Sequence, residues 1–266
     1  MHYSFDDIRN AYEGIGVTKG STVMLRTDFR SLGFFENGDK ERMLFAHFDV
    51  LADLVDLSKG TIVVGTSSTY LCDTDKPFDV ENTPSERGLL TEFFRTRESA
   101  VRSFHPFMSY SAVGKNAGHI CNNVSRHPYG PETPKDRLLD LNARCVSVGL
   151  HPRFTCTIVH HIEFLVGVPY RYVKEFIHPV VRNGKIIREP FYLYVWYKEC
   201  NIKRNYNVKI FNRFFKEGYT IQDHGLGRGK VYGYSMVDFY RSTIQAFRDD
   251  IYIWTEEPPK IRPYQR

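Results

Sequence analysis

The chain of 266 residues lacks the features that mark a membrane protein, a metal-stabilised protein or a disulfide-rich secreted protein. No stretch approaches the about 18 consecutive apolar residues of a membrane-spanning helix. The five cysteines are odd in number and scattered, without the C-x-x-C pairs of zinc ribbons and redox motifs, which favours reduced thiols. Asp6 and Asp7 stand where a signal peptide would carry bases. We therefore expect a cytoplasmic protein with no membrane partner.

A strong charge of one sign is also absent. The 36 Lys and Arg residues against 31 Asp and Glu residues give a net charge of only +5, and the bases are spread along the chain. This balance disfavours a dedicated nucleic-acid-binding protein. It suits a small anionic ligand such as a nucleotide, whereas a polycationic ligand would need a local acidic pocket.

No repeat, low-complexity tract or linker divides the chain, so we expect a single domain over residues 1–266. Apolar spacings of three and four alternate with short apolar runs, which predicts a layered α/β/α domain with a central sheet. Predicted helices cover residues 4–12, 41–55, 88–97, 157–166, 208–216 and 236–247. Predicted strands cover residues 21–25, 61–65, 145–150 and 191–197.

The pattern changes in the C-terminal third. Residues 179–187 place Asn183 and Gly184 between two apolar runs, which is typical of a tight antiparallel hairpin. The fold class predicted is therefore α/β with a mixed central sheet and an added antiparallel hairpin.

The segment after the strand at 145–150 is the richest in reactive side chains. His160 and Glu163 lie three residues apart and share a helix face, so the carboxylate can support the imidazole as a general base. From spacing alone, a buried structural histidine and a surface glutamate explain such a pair more often than catalysis does. Cys156 lies four residues before His160, which also permits a thiol nucleophile or a plain core cysteine. No H-E-x-x-H motif and no third ligand accompany the pair, so no metal is predicted.

Two His-Pro pairs, at His105 and His127, flank a stretch rich in small residues. Small residues allow a ligand to approach the backbone. The His-Pro pairs are also explained by turn formation alone. No phosphate-loop or Rossmann glycine pattern occurs in the chain.

Short motifs in a fixed order run along nearly the whole chain. They are Gly16-Val17-Thr18-Lys19-Gly20, Leu32-Gly33, Thr83-Pro84-Ser85, Arg102-Ser103-Phe104-His105-Pro106, His127-Pro128-Tyr129-Gly130, Thr133-Pro134, Thr157 with His160 and Glu163, and Val168-Pro169-Tyr170-Arg171. In this order and spacing the chain resembles the aminoglycoside 3-N-acetyltransferase family, which transfers an acyl group from coenzyme A to an amine.

The resemblance implies a role for particular residues. It makes His160 the catalytic histidine, Glu163 its carboxylate partner and Thr157 a hydroxyl near the reacting carbonyl. The family's His-Ser-Ser-Leu loop, associated with the coenzyme, reads Arg26-Thr27-Asp28-Phe29 here, and the asparagine before Thr157 is replaced by Cys156. Implied acyl-coenzyme A contacts are Arg26, Thr27, Phe29, Arg102, His105 and Ser109, and implied acceptor contacts are Tyr70, Tyr129 and Arg171.

The acceptor is predicted from charge. The central region is rich in arginine, which suits phosphate: Arg95, Arg97, Arg102, Arg126, Arg137, Arg144, Arg153 and Arg171. We therefore predict acyl transfer, acetyl or hydroxybutanoyl, to the amine of a dTDP-linked amino-dideoxy sugar for surface polysaccharide synthesis.

Two other functions stay open. One is an aminoglycoside 3-N-acetyltransferase that confers antibiotic resistance, and the other is a non-catalytic module that binds coenzyme or nucleotide. Expected partners are the small acceptor and acyl-coenzyme A; the sequence also allows a homodimer.

Overall fold

The central sheet is built on three short, buried strands that run parallel, each followed by loops or helices. A computed structural model describes residues 2–36 and 38–265. Its helices are α1 (Phe5–Gly14), α2 (Lys40–Val55), α3 (Leu89–Arg95), α4 (Ala117–Cys121), α5 (Pro134–Asp140), α6 (Pro152–Thr155), α7 (Ile158–Val166), α8 (Val208–Lys216) and α9 (Met236–Asp249). Its strands are β1 (His2–Tyr3), β2 (Thr22–Thr27), β3 (Phe34–Phe35), β4 (Thr61–Gly65), β5 (Val101–Arg102), β6 (Tyr110–Gly114), β7 (Arg144–Val148), β8 (Arg171–Arg182), β9 (Lys185–Trp196), β10 (Gln222–Leu226) and β11 (Gly229–Ser235).

The seven-stranded sheet has the order β10-β11-β7-β2-β4-β6-β5. Strands β7, β2 and β4 are parallel, and antiparallel strands extend the sheet on both sides. The mixed α/β class is therefore confirmed. Because the carboxyl ends of β2, β4 and β7 meet at one edge, the loops that follow Thr27, Gly65 and Val148 are brought together there.

Local signals explain most of the predicted elements. Helix α1 begins with a capping box, in which Ser4 Oγ accepts from the Asp7 amide and the Asp7 carboxylate accepts from the Ser4 amide at 2.8 Å. Strand β4 is buried along its whole length, as its continuous apolar run predicts.

The predicted hairpin is confirmed and is longer than expected. Strands β8 and β9 pair from Arg171 opposite Trp196 to Arg182 opposite Lys185. Asn183 and Gly184 connect them with φ values of +51° and +74°, the left-handed pair that a two-residue turn requires. This hairpin forms its own two-stranded sheet and covers a small core that includes Phe78, Phe107 and Phe191.

Six of the strands described were not predicted: β1, β3, β5, β6, β10 and β11. The small-residue stretch between the His-Pro pairs contains β6, so its residues pack in the sheet rather than form a ligand-approach loop. Gly114 ends this strand at φ +117°, and a Cβ there would lie 2.4 Å from the Gly60 carbonyl oxygen. Strands β10 and β11 carry polar and glycine residues without a clear apolar alternation, and they join the sheet through pairing of β11 with β7.

No helix among residues 2–36 and 38–265 is both long enough and apolar enough to cross a membrane. All five cysteines are unpaired.

Three buried histidines make stability depend on pH. Burial lowers the pKa of His47 and His161 to about 3 and that of His105 to about 4. In the unfolded chain each would titrate near 6.5, so below that pH the unfolded state binds more protons and stability is lost as pH falls. These three residues alone are expected to lower the free energy of unfolding by up to about 4 kcal/mol between pH 7.5 and pH 5.5, and His160, whose pKa burial also lowers, adds to the drop.

Denaturant unfolding at the two pH values measures this drop. The exposed His119 replaced by alanine is the control and should leave the difference between the two pH values unchanged. Equal unfolding midpoints at both pH values would contradict the assignment of these three histidines as neutral buried groups.

Candidate active site

Helix α7 presents His160 and Glu163 on one face, as the three-residue spacing predicts. His160 Nδ1 lies 2.6 Å from Glu163 Oε2. The Glu163 side chain is fully buried, whereas the His160 side chain is 23 % exposed. The glutamate is therefore not a surface residue, and the imidazole is the member of the pair that a ligand can reach.

Two further groups hold the Glu163 carboxylate in place. Tyr170 donates its hydroxyl proton to Oε1 at 2.8 Å, and Arg171 lies 2.9 Å from Oε2. Burial favours the neutral acid, but the charge of Arg171 and the hydrogen bonds from His160 and Tyr170 outweigh it and lower the pKa of Glu163. Glu163 is therefore a buried carboxylate with each oxygen satisfied.

The ionised carboxylate determines which nitrogen of His160 carries the proton. Nδ1–H donates to Glu163, so Nε2 bears the lone pair. Nε2 makes no hydrogen bond within the described part of the chain. Burial lowers the pKa of His160 to about 4, with Glu163 opposing the shift and Arg171 and Lys135 adding to it. The imidazole is therefore neutral at physiological pH, the form that a general base requires.

His160 opens into a cavity of about 900 Å³, here called the central cavity. It lies where α7, the β8–β9 hairpin and the segment that carries Trp254 meet the edge of the sheet, and aromatic rings form part of its wall. The Trp254 ring meets the His160 ring edge to face at 5.4 Å between centroids, and the Tyr129 ring lies 6.3 Å away. Rings in these positions limit the orientations open to the imidazole.

The charged side chains that line the central cavity are basic. Six cationic residues line it: Arg26, Arg87, Lys135, Arg153, Arg171 and Arg204. No Asp or Glu of the described residues is among the lining groups. Arg87 and Arg171 have carboxylate partners, Glu86 and Glu163, while the other four form no ion pair within residues 2–36 and 38–265.

Thr157 stands at the start of α7 with a cation on each side. Arg26 donates to Thr157 Oγ1 at 3.2 Å, and Lys135 Nζ donates to the Thr157 carbonyl oxygen at 2.5 Å. Because Arg26 occupies an acceptor position of the hydroxyl, the hydroxyl proton is available for donation into the cavity.

Cys156 also lines the central cavity but is a poor nucleophile. Burial raises the pKa of its thiol to about 11, so the thiolate is scarce at neutral pH. We expect Cys156→Ser to keep activity within about tenfold of the unchanged protein, since the general-base route does not need the sulfur. Initial rates measure this, and mass spectrometry after mixing with acyl-coenzyme A alone is the independent check. A covalent acyl adduct on Cys156 would contradict the direct route.

The residues predicted to bind the coenzyme are not brought together. Of Arg26, Thr27 and Phe29, only Arg26 lines the central cavity, and the Phe29 ring packs against His47 at 4.8 Å. Coenzyme contacts at Thr27 and Phe29 stay a prediction.

Arg102, His105 and Ser109 lie inside the protein rather than on the central cavity. Arg102 donates to Ser109 Oγ and to the carbonyl of Thr66, and Ser109 Oγ donates to the same carbonyl. His105 Nδ1 accepts two amide protons of its own turn. The polar groups of Arg102 and Ser109 have protein partners, which favours a structural role for them over coenzyme contact, while His105 Nε2 is buried without a partner.

The predicted acceptor residues divide in the same way. Tyr129 and Arg171 line the central cavity, whereas Tyr70 lies outside it and donates its hydroxyl proton to the Pro84 carbonyl oxygen at 3.2 Å. Of the eight arginines from which an anionic acceptor was predicted, only Arg153 and Arg171 line the cavity.

Sequence reasoning missed the role of three cavity residues. Lys135 falls on a helix without any motif of its own, and Arg204 and Trp254 belong to segments with no predicted element. One signal was available, because the chain has only two tryptophans and both line the cavity, Trp196 and Trp254. Among the described residues, no group of three His, Cys, Asp or Glu side chains is placed to hold a metal ion.

Comparisons with known proteins show which family the chain resembles. The family model described as aminoglycoside 3-N-acetyltransferase matches residues 24–248. Aminoglycoside N(3)-acetyltransferase III of Pseudomonas aeruginosa is 25 % identical over 193 residues, which cover 66 % of this chain and 69 % of the relative. The aminoglycoside N(3')-acetyltransferase-like protein YokD of Bacillus subtilis strain 168 is 25 % identical over 244 residues, covering 82 % and 81 % of the two chains.

Solved structures show the same fold. The crystal structure of aminoglycoside acetyltransferase AAC(3)-Xa superposes with a TM-score of 0.80 at 22 % identity, covering 93 % of both chains. AAC-IIIb, solved as a binary complex with CoASH, superposes with a TM-score of 0.78 at 17 % identity, covering 97 % and 100 %. The enzyme class predicted from the sequence, an acyl-coenzyme A-dependent N-acyltransferase, is confirmed. The chain belongs to the aminoglycoside 3-N-acetyltransferase family.

Proposed function

We propose that the chain transfers an acyl group from acyl-coenzyme A to an amine of an amino sugar by direct attack, with His160 as the general base. The observation that carries this proposal is the buried Glu163 carboxylate, which holds Nδ1 of a neutral imidazole that lines the central cavity. An amine is mostly protonated at neutral pH, so a positioned base is what the reaction most needs.

In the proposed step, His160 Nε2 first accepts a proton and later donates it. The acceptor amine enters the step in its neutral form, its ammonium proton having been released to solvent. Its nitrogen attacks the thioester carbonyl carbon while His160 Nε2 takes one of its remaining protons. The tetrahedral intermediate then collapses, the carbon–sulfur bond breaks, and the leaving sulfur takes the proton from the imidazolium. Glu163 stabilises the imidazolium in between, because it already accepts the Nδ1 proton.

The developing oxyanion needs a donor nearby. Thr157 lines the same cavity one helical turn before His160, and its hydroxyl proton is available. We assign the oxyanion to this hydroxyl, with the charge of Arg26 behind it.

Two classes of amine are candidates for the acceptor. The relatives are named for aminoglycosides, which favours an aminoglycoside over the dTDP-linked sugar that we predicted from the sequence, and no comparison supports a role in polysaccharide synthesis. One observation favours the nucleotide-linked sugar as second candidate: the central cavity has six cationic lining residues and no acidic one. A polycationic acceptor would meet repulsion there.

Product masses decide between the two. The protein is incubated with acetyl- or hydroxybutanoyl-coenzyme A and either kanamycin or a dTDP-linked amino sugar, and coenzyme release is followed by thiol detection. Acylated kanamycin supports the first candidate and an acylated sugar nucleotide the second. Absence of coenzyme release with every amine would contradict the proposed function and revive a non-catalytic binding module.

A further inference from the structure

We infer that the acceptor carries an anionic group close to its reacting amine, a phosphate or a carboxylate, and that Lys135 and Arg26 bind this group. The inference rests on the proposed function and names the class of acceptor for the same site. It concerns two cations that the general-base mechanism does not use for proton transfer.

The first argument is the burial of Lys135. It occupies the inward face of α5 with Pro134 and Leu138, and its side chain is fully buried. A buried ammonium group normally has a carboxylate partner, because taking a charge out of water is unfavourable by several kcal/mol. Lys135 has none within the described residues; its contacts are the Thr157 carbonyl and the face of the Tyr129 ring, 4.5 Å from Nζ.

The second argument is the unsatisfied hydrogen-bonding capacity of Arg26. Its Nε is buried and has no partner, and its guanidinium forms no ion pair within residues 2–36 and 38–265. Both Lys135 and Arg26 line the central cavity. An anion between them would accept hydrogen bonds from both groups. Burial lowers the pKa of each cation, and the negative charge of the anion would oppose that shift.

The third argument is position. Lys135 and Arg26 meet at Thr157, one helical turn before His160, so an anion held there lies beside the reacting atoms. The phosphates of coenzyme A are separated from its sulfur by the long pantetheine arm. They cannot reach a site next to the thioester carbon while that carbon faces His160. The developing oxyanion exists only during the reaction and does not offset the burial of these cations in the resting protein. We therefore assign a permanent anion there to the acceptor.

Three sugars with one amine test this inference. Glucosamine, glucosamine 6-phosphate and glucosaminuronate share the amine at C2 and differ only in a hydroxyl, phosphate or carboxylate at C6. Dissociation constants are measured by calorimetry in saturating coenzyme A, so that the phosphate contacts of the coenzyme are already occupied. We expect at least one anionic sugar to bind about tenfold or more tightly than glucosamine, the effect of one or two charge-assisted hydrogen bonds.

Lys135→Met keeps the length of the side chain and removes the charge. We expect it to reduce the preference for the anionic sugar by about tenfold, whereas Lys115→Met, at an exposed position, leaves the preference unchanged. Equal binding of all three sugars by the unchanged protein would overturn the inference whether or not the variant folds, and so would an unaltered preference in a folded Lys135→Met protein.

Coenzyme release with the same sugars separates this inference from the proposed function. Tight binding of an anionic sugar without release would contradict the general-base function and leave the anion site standing. Release with kanamycin that exceeds release with both anionic sugars would contradict the anion site and leave the acyltransferase function standing.

Discussion

His160→Ala is expected to lower kcat/KM by about 100- to 10,000-fold, the usual contribution of a general base, while the protein stays folded. The loss follows because no other described residue that lines the central cavity lies beside Thr157, is held by a buried carboxylate and could take the amine proton in place of His160. The variant loses the hydrogen bond to the buried Glu163, but Tyr170 and Arg171 still hold that carboxylate, so the protein should stay folded.

Coenzyme release under saturating acyl donor measures the loss, and circular dichroism and thermal unfolding confirm the fold. His119→Ala is the matched control, because that histidine is exposed and does not line the central cavity. Activity of His160→Ala close to that of the control would remove the proposed mechanism.

Glu163→Gln is expected to reduce both turnover and stability. The amide no longer stabilises the imidazolium and no longer selects the tautomer with Nε2 unprotonated, so kcat should fall by about 100-fold or more. Arg171 loses its only carboxylate partner among the described residues while its side chain stays 7 % exposed. Removing one member of a buried ion pair lowers the free energy of unfolding by about 3 kcal/mol.

Denaturant unfolding and initial rates test the two effects separately. Glu175→Gln is the control, because this carboxylate lies exposed on the β8–β9 hairpin and accepts a hydrogen bond only from the Tyr192 hydroxyl. Unchanged kcat in Glu163→Gln would show that the carboxylate does not support the base. Unchanged stability would show that Arg171 finds another partner.

The elements that could be predicted from the sequence are those with signals among neighbouring residues. Ser4 and Asp7 cap α1, the buried run at 61–65 forms β4, and Asn183 with Gly184 turns the hairpin. Strands β6, β10 and β11 could not be found in this way. Their small and polar residues are strand-forming only because β4 and β7 supply hydrogen-bonding edges beside them.

The sequence by itself determined that His160 and Glu163 share a face of one helix, because a spacing of three residues has that consequence in any α-helix. Only the tertiary structure decided the surroundings of that pair. Arg26, Lys135 and Trp254 come from distant parts of the chain and converge at α7, where burial and the lack of acidic partners set their charges. Such an environment depends on contacts between remote segments, which no local pattern specifies.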